Sequence, residues 1–415
     1  MTEQNLKQYV IIGNGVAAAG SIEGIRSADT TGQITVISQE VHPVYCRPLI
    51  SYYLEGKTDL QRMQYRSADF YDKMGCQVLY GRIATKLDTA AQTVTLDDGT
   101  TLPYDELCIA AGSAPFVPPI NGLDTVPDKF TFMTLDDTLA LEQTIRPDSR
   151  VLIIGAGLIG LKCAEGLQGR VGSITVCDLS DRVLSSILDA ECAALMQQRL
   201  EANGIHFMLG DTVQSFAGHT ANMQSGCTVD FDVLVLAVGV RPNTSLLQNA
   251  AGAVERGILV DEHMATVLPH IYAAGDCTQV EDVSCGTKRV LAIMPNAYMQ
   301  GYCAGSRMAG GSAVFDNAIP MNSIGFFGLH AMTAGSYDGE MYEERTADTL
   351  KRLFIRDNRL VGYILVGAVD RAGIYTALIR NQTPLDTLDF DLLKKIPTPA
   401  AFTPADRRKI FGGEI

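Results

Sequence analysis

The chain has 415 residues and a formal net charge of -14 at pH 7. Its 47% hydrophobic and 19% charged residues are typical of a globular protein of two or three domains and exclude intrinsic disorder. The acidity argues against nucleic acid or an anionic membrane as a partner, since both attract basic surfaces. Segment 345–415 differs: its 12 Lys and Arg against 8 Asp and Glu give +4, which leaves -18 on the remainder. This segment is either a docking face for an acidic partner or ordinary surface variation.

Ten cysteines are scattered along the chain without a CxxC pair. Zinc ribbons, ferredoxin-type clusters and thioredoxin chemistry therefore lack their spacing signal, and we expect free thiols and no metal site. The six histidines also show no ligand spacing. No secretory layout opens the chain, and no apolar run approaches the roughly 18 residues of a membrane span. We therefore expect a cytoplasmic protein that does not enter a membrane.

The N-terminal segment Tyr9–Arg26 predicts a buried strand, a tight turn and a helix. Gly13 permits the turn, and Gly15 lets the backbone approach a phosphate. The small Ala18 allows the helix to pack closely on the strand. Such a turn aims a helix N-terminus at an anion, so the segment is a candidate dinucleotide site.

Polar candidates follow the next strand. Glu40 stands where an acid could accept a hydrogen bond from a ribose hydroxyl, although Gln39 occupies an equally suitable position and Glu40 could be a solvated loop acid. Arg47 and Pro48 lie beside this site, where a guanidinium suits a phosphate or a ring face. Cys46 suggests a redox role, but its position relative to the catalytic thiol of similar proteins argues against that role.

A second fingerprint, VLIIGAGLIGLKCAE, contains Gly155, Gly157 and Gly160 in the spacing of a strand, a turn and a helix. The following strand ends at Asp178, 23 residues after Gly155, which fits the ribose-binding acid. An acid here favours NADH, because it would repel the 2'-phosphate of NADPH. Arg182 nearby argues in the opposite direction.

Two other predicted strands have similar exits. The segment Tyr104–Pro115 predicts a buried strand ending at Ala111 and Gly112, where the backbone would approach a cofactor. The segment Phe231–Asn243 repeats this pattern around Gly239. The two halves therefore look like an internal repeat.

The segment GILVDEHMATVLPHIYAAGDC is the most informative later stretch. Its last strand ends at Gly275 and Asp276, which would bring a backbone N–H and a carboxylate to the ribityl or phosphate part of a flavin. From Ile319 onward, alternating strands with a helix predict a separate α+β domain.

Taken in order, these motifs resemble the pyridine nucleotide-disulfide oxidoreductase superfamily over essentially the whole chain. The Arg47-Pro48 loop and the segments SIGFFGLHAMTAG and LVGAVDRAGIYTALI look most like the NADH:rubredoxin reductase and nitrite-reductase flavoprotein branch. The resemblance implies an α/β fold with two Rossmann-like dinucleotide-binding domains, the NAD domain inserted in a split FAD domain, plus a C-terminal α+β domain. The implied divisions are 1–115 and 244–316 for the FAD-binding domain, 116–243 for the NAD(H)-binding domain and 317–415 for the C-terminal interface domain.

The resemblance also implies a function. FAD and NADH would bind, with NADPH disfavoured, and a hydride would pass from NADH to flavin N5. Electrons would then leave to a small acidic carrier such as rubredoxin or ferredoxin, and a homodimer is left open. Alternatives are an electron-input subunit of a larger redox complex, an NADH oxidase or coenzyme A-disulfide reductase, and an NADH-sensing flavoprotein. The predicted cofactor-binding residues are Gly13, Gly15, Ala18, Glu40, Arg47, Pro48, Ala111, Gly112, Gly155, Gly157, Gly160, Asp178, Gly239, Gly275 and Asp276.

The chain departs from the family pattern in three places. No CxxxxC pair follows the flavin acid, and Cys46 lies two residues before the position of the single catalytic thiol, which Pro48 occupies. Lys162 replaces a glutamate that many relatives have beside the nicotinamide pocket, where it would contact the carboxamide or an anionic acceptor, or else face solvent. Tyr52 replaces a lysine near flavin N5 in oxygenase-type ferredoxin reductases. Lys162 and Tyr52 are the catalytic candidates, although the flavin itself is the reactive group.

Overall fold

Residues 6–411 are described by a computed structural model, which shows a mixed α/β protein. The strands are β1 (Gln8–Ile12), β2 (Gln33–Ser38), β3 (Cys76–Tyr80), β4 (Ala84–Asp88), β5 (Thr93–Leu96), β6 (Thr101–Pro103), β7 (Glu106–Ile109), β8 (Ser113–Pro115), β9 (Lys129–Thr131), β10 (Arg150–Ile154), β11 (Ser173–Asp178), β12 (Ile205–Leu209), β13 (Val213–Ala217), β14 (Thr220–Met223), β15 (Thr228–Asp230), β16 (Val233–Leu236), β17 (Val240–Pro242), β18 (Ile258–Leu259), β19 (Ile271–Ala273), β20 (Thr278–Asp282), β21 (Thr287–Arg289), β22 (Met321–Phe326), β23 (Leu329–Gly335), β24 (Glu340–Arg345), β25 (Leu350–Arg356) and β26 (Arg359–Val366). The α-helices are α1 (Val16–Ala28), α2 (Ile50–Leu54), α3 (Phe70–Lys73), α4 (Leu135–Thr144), α5 (Leu158–Leu167), α6 (Ala190–Glu201), α7 (Ser245–Asn249), α8 (Met294–Met308), α9 (Ala372–Arg380), α10 (Phe390–Lys395) and α11 (Pro404–Phe411). Short 3-10 helices span Arg47–Leu49, Leu123–Thr125, Leu385–Thr387 and Pro399–Ala401.

The first module is a five-stranded parallel sheet with the order β19-β7-β1-β2-β3. Its strands are apolar along their length because parallel sheets are covered on both faces. On β1, Val10 and Ile11 are almost completely buried. Strand β19 joins this sheet from far along the chain, so the first module is completed only after the second has been built.

The second module is another parallel sheet, with the order β12-β11-β10-β16-β9. The apolar residues 151–154 of β10 are all buried at its centre. Strands β8 and β17, which flank this module in the chain, pair with each other in antiparallel fashion. The chain therefore leaves the first module and returns to it at one place, as expected of an inserted domain.

The C-terminal part forms a five-stranded antiparallel sheet with the order β22-β23-β26-β25-β24, against which α9 packs. Strands β25 and β26 are joined at Asp357 and Asn358, whose φ angles of 50° and 59° are those of a tight hairpin turn. The predicted fold class is confirmed, whereas the divisions between domains stay predictions.

Two further expectations concern cysteines and membranes. All ten cysteines are free thiols, as predicted. Across residues 6–411, no group of His, Cys, Asp and Glu could hold a metal ion. Within the same range, every helix is too short or too polar to cross a bilayer.

Helices α1 and α8 lie backbone to backbone because glycines face the partner helix on both sides. A Cβ atom on Gly24 would stand 2.2 Å from the carbonyl oxygen of Tyr302, and one on Gly305 would stand 2.0 Å from that of Ser21. These distances leave no room for a methyl group. The helix that opens the first module is therefore fixed by a helix that follows its last strand.

We expect Gly305→Ala to destabilise the protein by about 1–3 kcal/mol, because the new methyl group must push the two backbones apart. The matched control is Gly373→Ala in α9, where an added Cβ atom would meet nothing within 4 Å. Alanine should stabilise that helix by roughly 0.5–1 kcal/mol. Chemical unfolding of both variants measures the difference, and equal midpoints would contradict the close helix pair.

Candidate functional site

The first candidate cradle lies at the carboxyl end of β1. Gly13 has a φ of 110°, and a Cβ atom there would stand 2.2 Å from the carbonyl oxygen of Ala110, so the turn requires glycine. Gly15 is the N-cap of α1, and among the described residues no side chain caps this helix. A Cβ atom at Gly15 would have nothing within 4 Å. Free N–H groups at a helix start beside open space suit a phosphate, and the fully buried Ala18 keeps the helix on the sheet.

The second cradle repeats this geometry at the end of β10. Gly155 has a φ of 115°, and its Cβ atom would stand 2.2 Å from the carbonyl oxygen of Ala237. Gly157 is the uncapped N-cap of α5, with nothing within 4 Å of its Cβ position. A Cβ atom on Gly160 would stand 2.0 Å from the carbonyl oxygen of Gly155. The three predicted glycines therefore form a second cradle of the same geometry, and its role in phosphate binding stays a prediction.

Glu40 and Arg47, both predicted beside the first cradle, form an ion pair. Glu40 also accepts a hydrogen bond of 2.7 Å from the hydroxyl of Tyr45, which in turn accepts one of 2.9 Å from the backbone N–H of Leu135. Arg47 donates to the carbonyl oxygen of Met133 at 3.1 Å. Burial raises the pKa of Tyr45, so its hydroxyl stays protonated beside the carboxylate. This network fixes the loop, and the ribose role of Glu40 stays a prediction.

Asp276 lies just after β19 with few partners. Its Oδ2 accepts one hydrogen bond, of 3.5 Å, from the hydroxyl of Ser113. Burial raises the pKa of Asp276, although Arg47 and Ser113 act in the opposite direction. The neighbouring Gly275 N–H donates to Gln300 Oε1 at 2.7 Å. A buried carboxylate with spare acceptor capacity fits a hydroxyl-bearing ligand, as the flavin prediction requires.

The two predicted strand exits, one at Ala111 and Gly112 and the other at Gly239, meet where the chain crosses between the modules. Asn243 donates from its backbone N–H to the carbonyl of Gly112 at 2.9 Å and from its side chain to that of Ala111 at 2.8 Å. Phe116 N–H donates to the carbonyl of Gly239 at 2.9 Å. Gly112 and Gly239 both have positive φ angles, of 64° and 115°. The crossing therefore lies between the two cradles.

Asp178 braces the second cradle. Its Oδ2 accepts from Ala156 N–H and its Oδ1 from Ser180 N–H, each at 2.7 Å. Each carboxylate oxygen can still accept another hydrogen bond, so a ribose hydroxyl is not excluded. Arg182 is paired with Asp181 at 2.9 Å, which partly neutralises the charge that would favour NADPH.

The side chain of Lys162 is 20% exposed and has partners within the protein, which disfavours the solvent-facing alternative. Its Nζ donates to Glu165 Oε2 and to the carbonyl oxygen of Gly325, both at 2.6 Å. The ammonium lies between two rings, 4.8 Å from the centroid of Phe326 and 5.3 Å from that of Tyr52. Tyr52 is 39% exposed. The two catalytic candidates are therefore in contact, while their chemical role stays a prediction.

Cys46 does not have the surroundings of a redox thiol. Its Sγ lies 3.9 Å from Met294 Sδ, and burial raises the pKa of the thiol, which disfavours the reactive thiolate. Pro48 is in the 3-10 helix that leads into α2, and its carbonyl accepts from Ser51 Oγ at 3.1 Å. The sequence argument against Cys46 as the nucleophile therefore agrees with its environment.

Three residues of this region were missed by the sequence reasoning. Glu165 had a usable signal, since Lys and Glu three apart on a helix face each other. Tyr45 and Gln300 had none, because both act through contacts with residues remote in the chain. The predicted residues themselves gather into two cradles joined by one crossing.

Comparison with known proteins gives one family. The family model described as "Pyridine nucleotide-disulphide oxidoreductase" matches residues 7–301. A relative from Aromatoleum evansii, the NADH-dependent phenylglyoxylate dehydrogenase subunit epsilon, is 32% identical over 394 residues, covering 92% of this chain and 93% of that protein. The assimilatory nitrate reductase electron transfer subunit of Bacillus subtilis is 31% identical over 390 residues. This match covers 91% of the chain but about half (50%) of that relative.

Among solved structures, the fold matches that of a covalent complex of putidaredoxin reductase with putidaredoxin. The TM-score is 0.87 at 23% identity, and the match covers 95% of this chain and 99% of that one. At this identity the likeness concerns the fold.

We expect Asp276→Ala to release FAD, because the variant lacks the carboxylate that would accept from its hydroxyl groups. The ratio of flavin absorbance to protein absorbance after purification measures retention, and it should fall about ten-fold or more. Ser113→Ala, which removes only a 3.5 Å hydrogen bond, is the control and should keep the parental ratio. Full flavin content in Asp276→Ala would contradict the assignment.

Proposed function

The chain belongs to the pyridine nucleotide-disulphide oxidoreductase family, and we propose that it is an FAD-dependent NADH:acceptor oxidoreductase that delivers electrons to a small redox protein. The observation that carries this proposal is the pair of uncapped helix N-termini at Gly15 and Gly157, one on each parallel sheet. Two cradles accommodate two dinucleotides. Bound FAD supplies the chemistry, accepting a hydride and passing electrons onward, while the protein binds and orients both nucleotides.

The polar residues around each cradle support the assignment of FAD to the first cradle and NADH to the second. The first has Arg47, Glu40 and the buried Asp276, a set suited to the phosphates and hydroxyls of FAD. The second has Asp178, whose carboxylate disfavours a 2'-phosphate and so favours NADH over NADPH. Arg182 is paired with Asp181, so its charge adds little attraction for a 2'-phosphate.

A protein acceptor is supported by what the site lacks and by charge. Within the described residues, Cys46 has no second thiol beside it, so a disulfide relay has no basis in this geometry. The C-terminal segment 345–415 carries +4 on an acidic protein, which suits an acidic carrier. The likeness to a reductase bound to putidaredoxin is a fold-level analogy in the same direction.

A second candidate is the electron-input subunit of a larger redox complex. It is favoured by one observation: the Aromatoleum evansii relative, which matches over 93% of its length, is named as a subunit of a dehydrogenase. In that case the basic segment would contact a partner subunit permanently instead of a mobile carrier.

We expect NADH to bleach the flavin absorbance under anaerobic conditions, faster than NADPH at equal concentration. Rubredoxin or ferredoxin, mixed with the reduced protein, should then restore the flavin absorbance. Failure of NADH to bleach would contradict the oxidoreductase proposal itself. Bleaching without reoxidation by any soluble carrier would contradict the carrier and favour the subunit, which co-purification from the native source would identify.

Two arginines without acidic partners suggest where the carrier docks. Arg380, at the end of α9, donates only to Asn296 Oδ1 at 3.3 Å and Met299 Sδ at 3.7 Å, both on α8. Arg359 donates to Gln382 Oε1 at 2.9 Å. Neither has a carboxylate within salt-bridge distance among the described side chains, so neither charge is neutralised by an ion pair within that range, although Arg380 is partly buried against α8.

We expect Arg380→Gln to raise the KM for an acidic carrier about five-fold or more at low salt, with the effect fading as ionic strength screens the charges. Reduction of menadione, a neutral quinone, should be unchanged. The control is Arg256→Gln, an exposed arginine before β18. Equal carrier kinetics in the two variants would place the docking face elsewhere.

A further inference from the structure

Three parts of the chain meet at one lysine. Lys162 on α5 of the second module donates to Glu165 Oε2 and to the carbonyl oxygen of Gly325 on β22, both at 2.6 Å. The other oxygen of Glu165 accepts from Phe327 N–H at 2.9 Å, in the turn between β22 and β23. We call Lys162, Glu165, Gly325 and Phe327 the lysine clamp. It closes a ring of hydrogen bonds between the second module and the C-terminal sheet.

The clamp is largely withdrawn from water. The side chain of Lys162 is 20% exposed and that of Glu165 is 10% exposed. The rings of Phe326 and Tyr52 lie on either side of the ammonium, at 4.8 Å and 5.3 Å. Attraction between a cation and an aromatic face strengthens when water is removed. Tyr52 lies on α2 of the first module, so the clamp also contacts this module.

This junction lies between the two cradles. Lys162 follows Gly157 by five residues, which is about one and a half helical turns. One turn further, α5 packs against α2, since a Cβ atom on Gly166 would stand 2.9 Å from the carbonyl oxygen of Ser51. Helix α2 in turn follows Arg47 of the first cradle. The junction therefore lies on the helix that starts at the second cradle, near its contact with the helix that follows Arg47.

The donor count favours positioning. A lysine ammonium has three N–H donors, of which Glu165 and Gly325 take two. The third has no acceptor among the described residues, and the ammonium lies over the rings of Tyr52 and Phe326. Lys162 therefore uses most of its donor capacity to hold the turn.

We propose that Lys162 is a positioning residue: it ties the β22–β23 turn to α5 and so sets the opening through which the nicotinamide of the second cradle reaches the flavin in the first. This proposal rests on the proposed function for the nucleotides. The clamp itself is made entirely of the chain's own residues. Removing one buried partner leaves the other charge uncompensated, so the clamp acts as a unit.

The test compares Lys162→Met with Lys162→Arg, which keeps the charge, and with Lys129→Met as control. Lys129 is in the same module and donates only to the carbonyl of Val126. We expect Lys162→Met to raise the KM for NADH about ten-fold while kcat changes by less than about three-fold, because the binding geometry is loosened and the reacting atoms are untouched. Lys162→Arg should recover most of the parental KM.

A second readout does not depend on turnover. Deuterium uptake of the peptide 321–335, followed by mass spectrometry, should be about ten-fold faster in Lys162→Met, where the carbonyl of Gly325 loses its donor, and in Glu165→Gln, where Phe327 N–H keeps only a neutral amide acceptor. Lys129→Met should keep the parental uptake. The double variant Lys162→Met/Glu165→Gln should be less affected than Lys162→Met alone, because neither charge is left unpaired.

The outcomes separate this proposal from the function on which it rests. A fall in kcat with unchanged KM and unchanged uptake would overturn the positioning role and place Lys162 on the reacting atoms. If Lys162→Met fails to fold, the deuterium uptake and the KM for NADH are measured in Glu165→Gln and Lys162→Arg instead. Parental values of both quantities in Glu165→Gln would overturn the proposal. If NADH fails to bleach the flavin of the parent, the proposed function fails, whereas the uptake result on the clamp still stands.

Discussion

The fold depends on two helices that begin without a capping side chain. At the start of α1 and of α5 the N–H groups of the first turn have no side-chain acceptor within the described range, and no acidic residue lies in either first turn. Unpaired donors near a protein interior are costly unless a ligand satisfies them. Glycines at both turns keep the space open. Within the described residues, both helix starts are therefore left open, as the predicted phosphate sites require.

The two sheets are joined at one place because of the order in which their strands occur along the chain. The first sheet stays incomplete until β19 joins it, and in between the chain builds the second sheet and returns through the β8–β17 pair. One crossing thus serves as exit and entry of the second module. The close pair of α1 and α8 then locks the start of the first module to its end. At the crossing, Gly112 and Gly239 adopt positive φ angles that favour glycine.

Local patterns allowed the modules to be predicted, because strand, glycine turn and helix are encoded in contiguous residues. The glycines at 13, 155 and 160 could be named because each turn tolerates no Cβ atom. The partners of those motifs were not predictable. Tyr45 reaches Leu135, and Lys162 reaches Gly325, across 90 and 163 positions of sequence. Such contacts depend on how sheets are placed relative to one another, which periodicity does not reveal. For the same reason Lys162 could be recognised as unusual from the sequence while its surroundings could not.

Charge is distributed so that each buried ion near the cradles has a partner within the protein, with one exception. Glu40 is matched by Arg47, and Glu165 by Lys162. Asp276 is half-buried, and the one hydrogen bond that its side chain accepts within the described range is long; desolvation raises its pKa. A carboxylate in that state gains most from a ligand that donates hydroxyl groups, because each new hydrogen bond favours its charged form. If Asp276 accepts from the ribityl hydroxyls as predicted, affinity for the flavin should weaken as pH falls and the group becomes protonated.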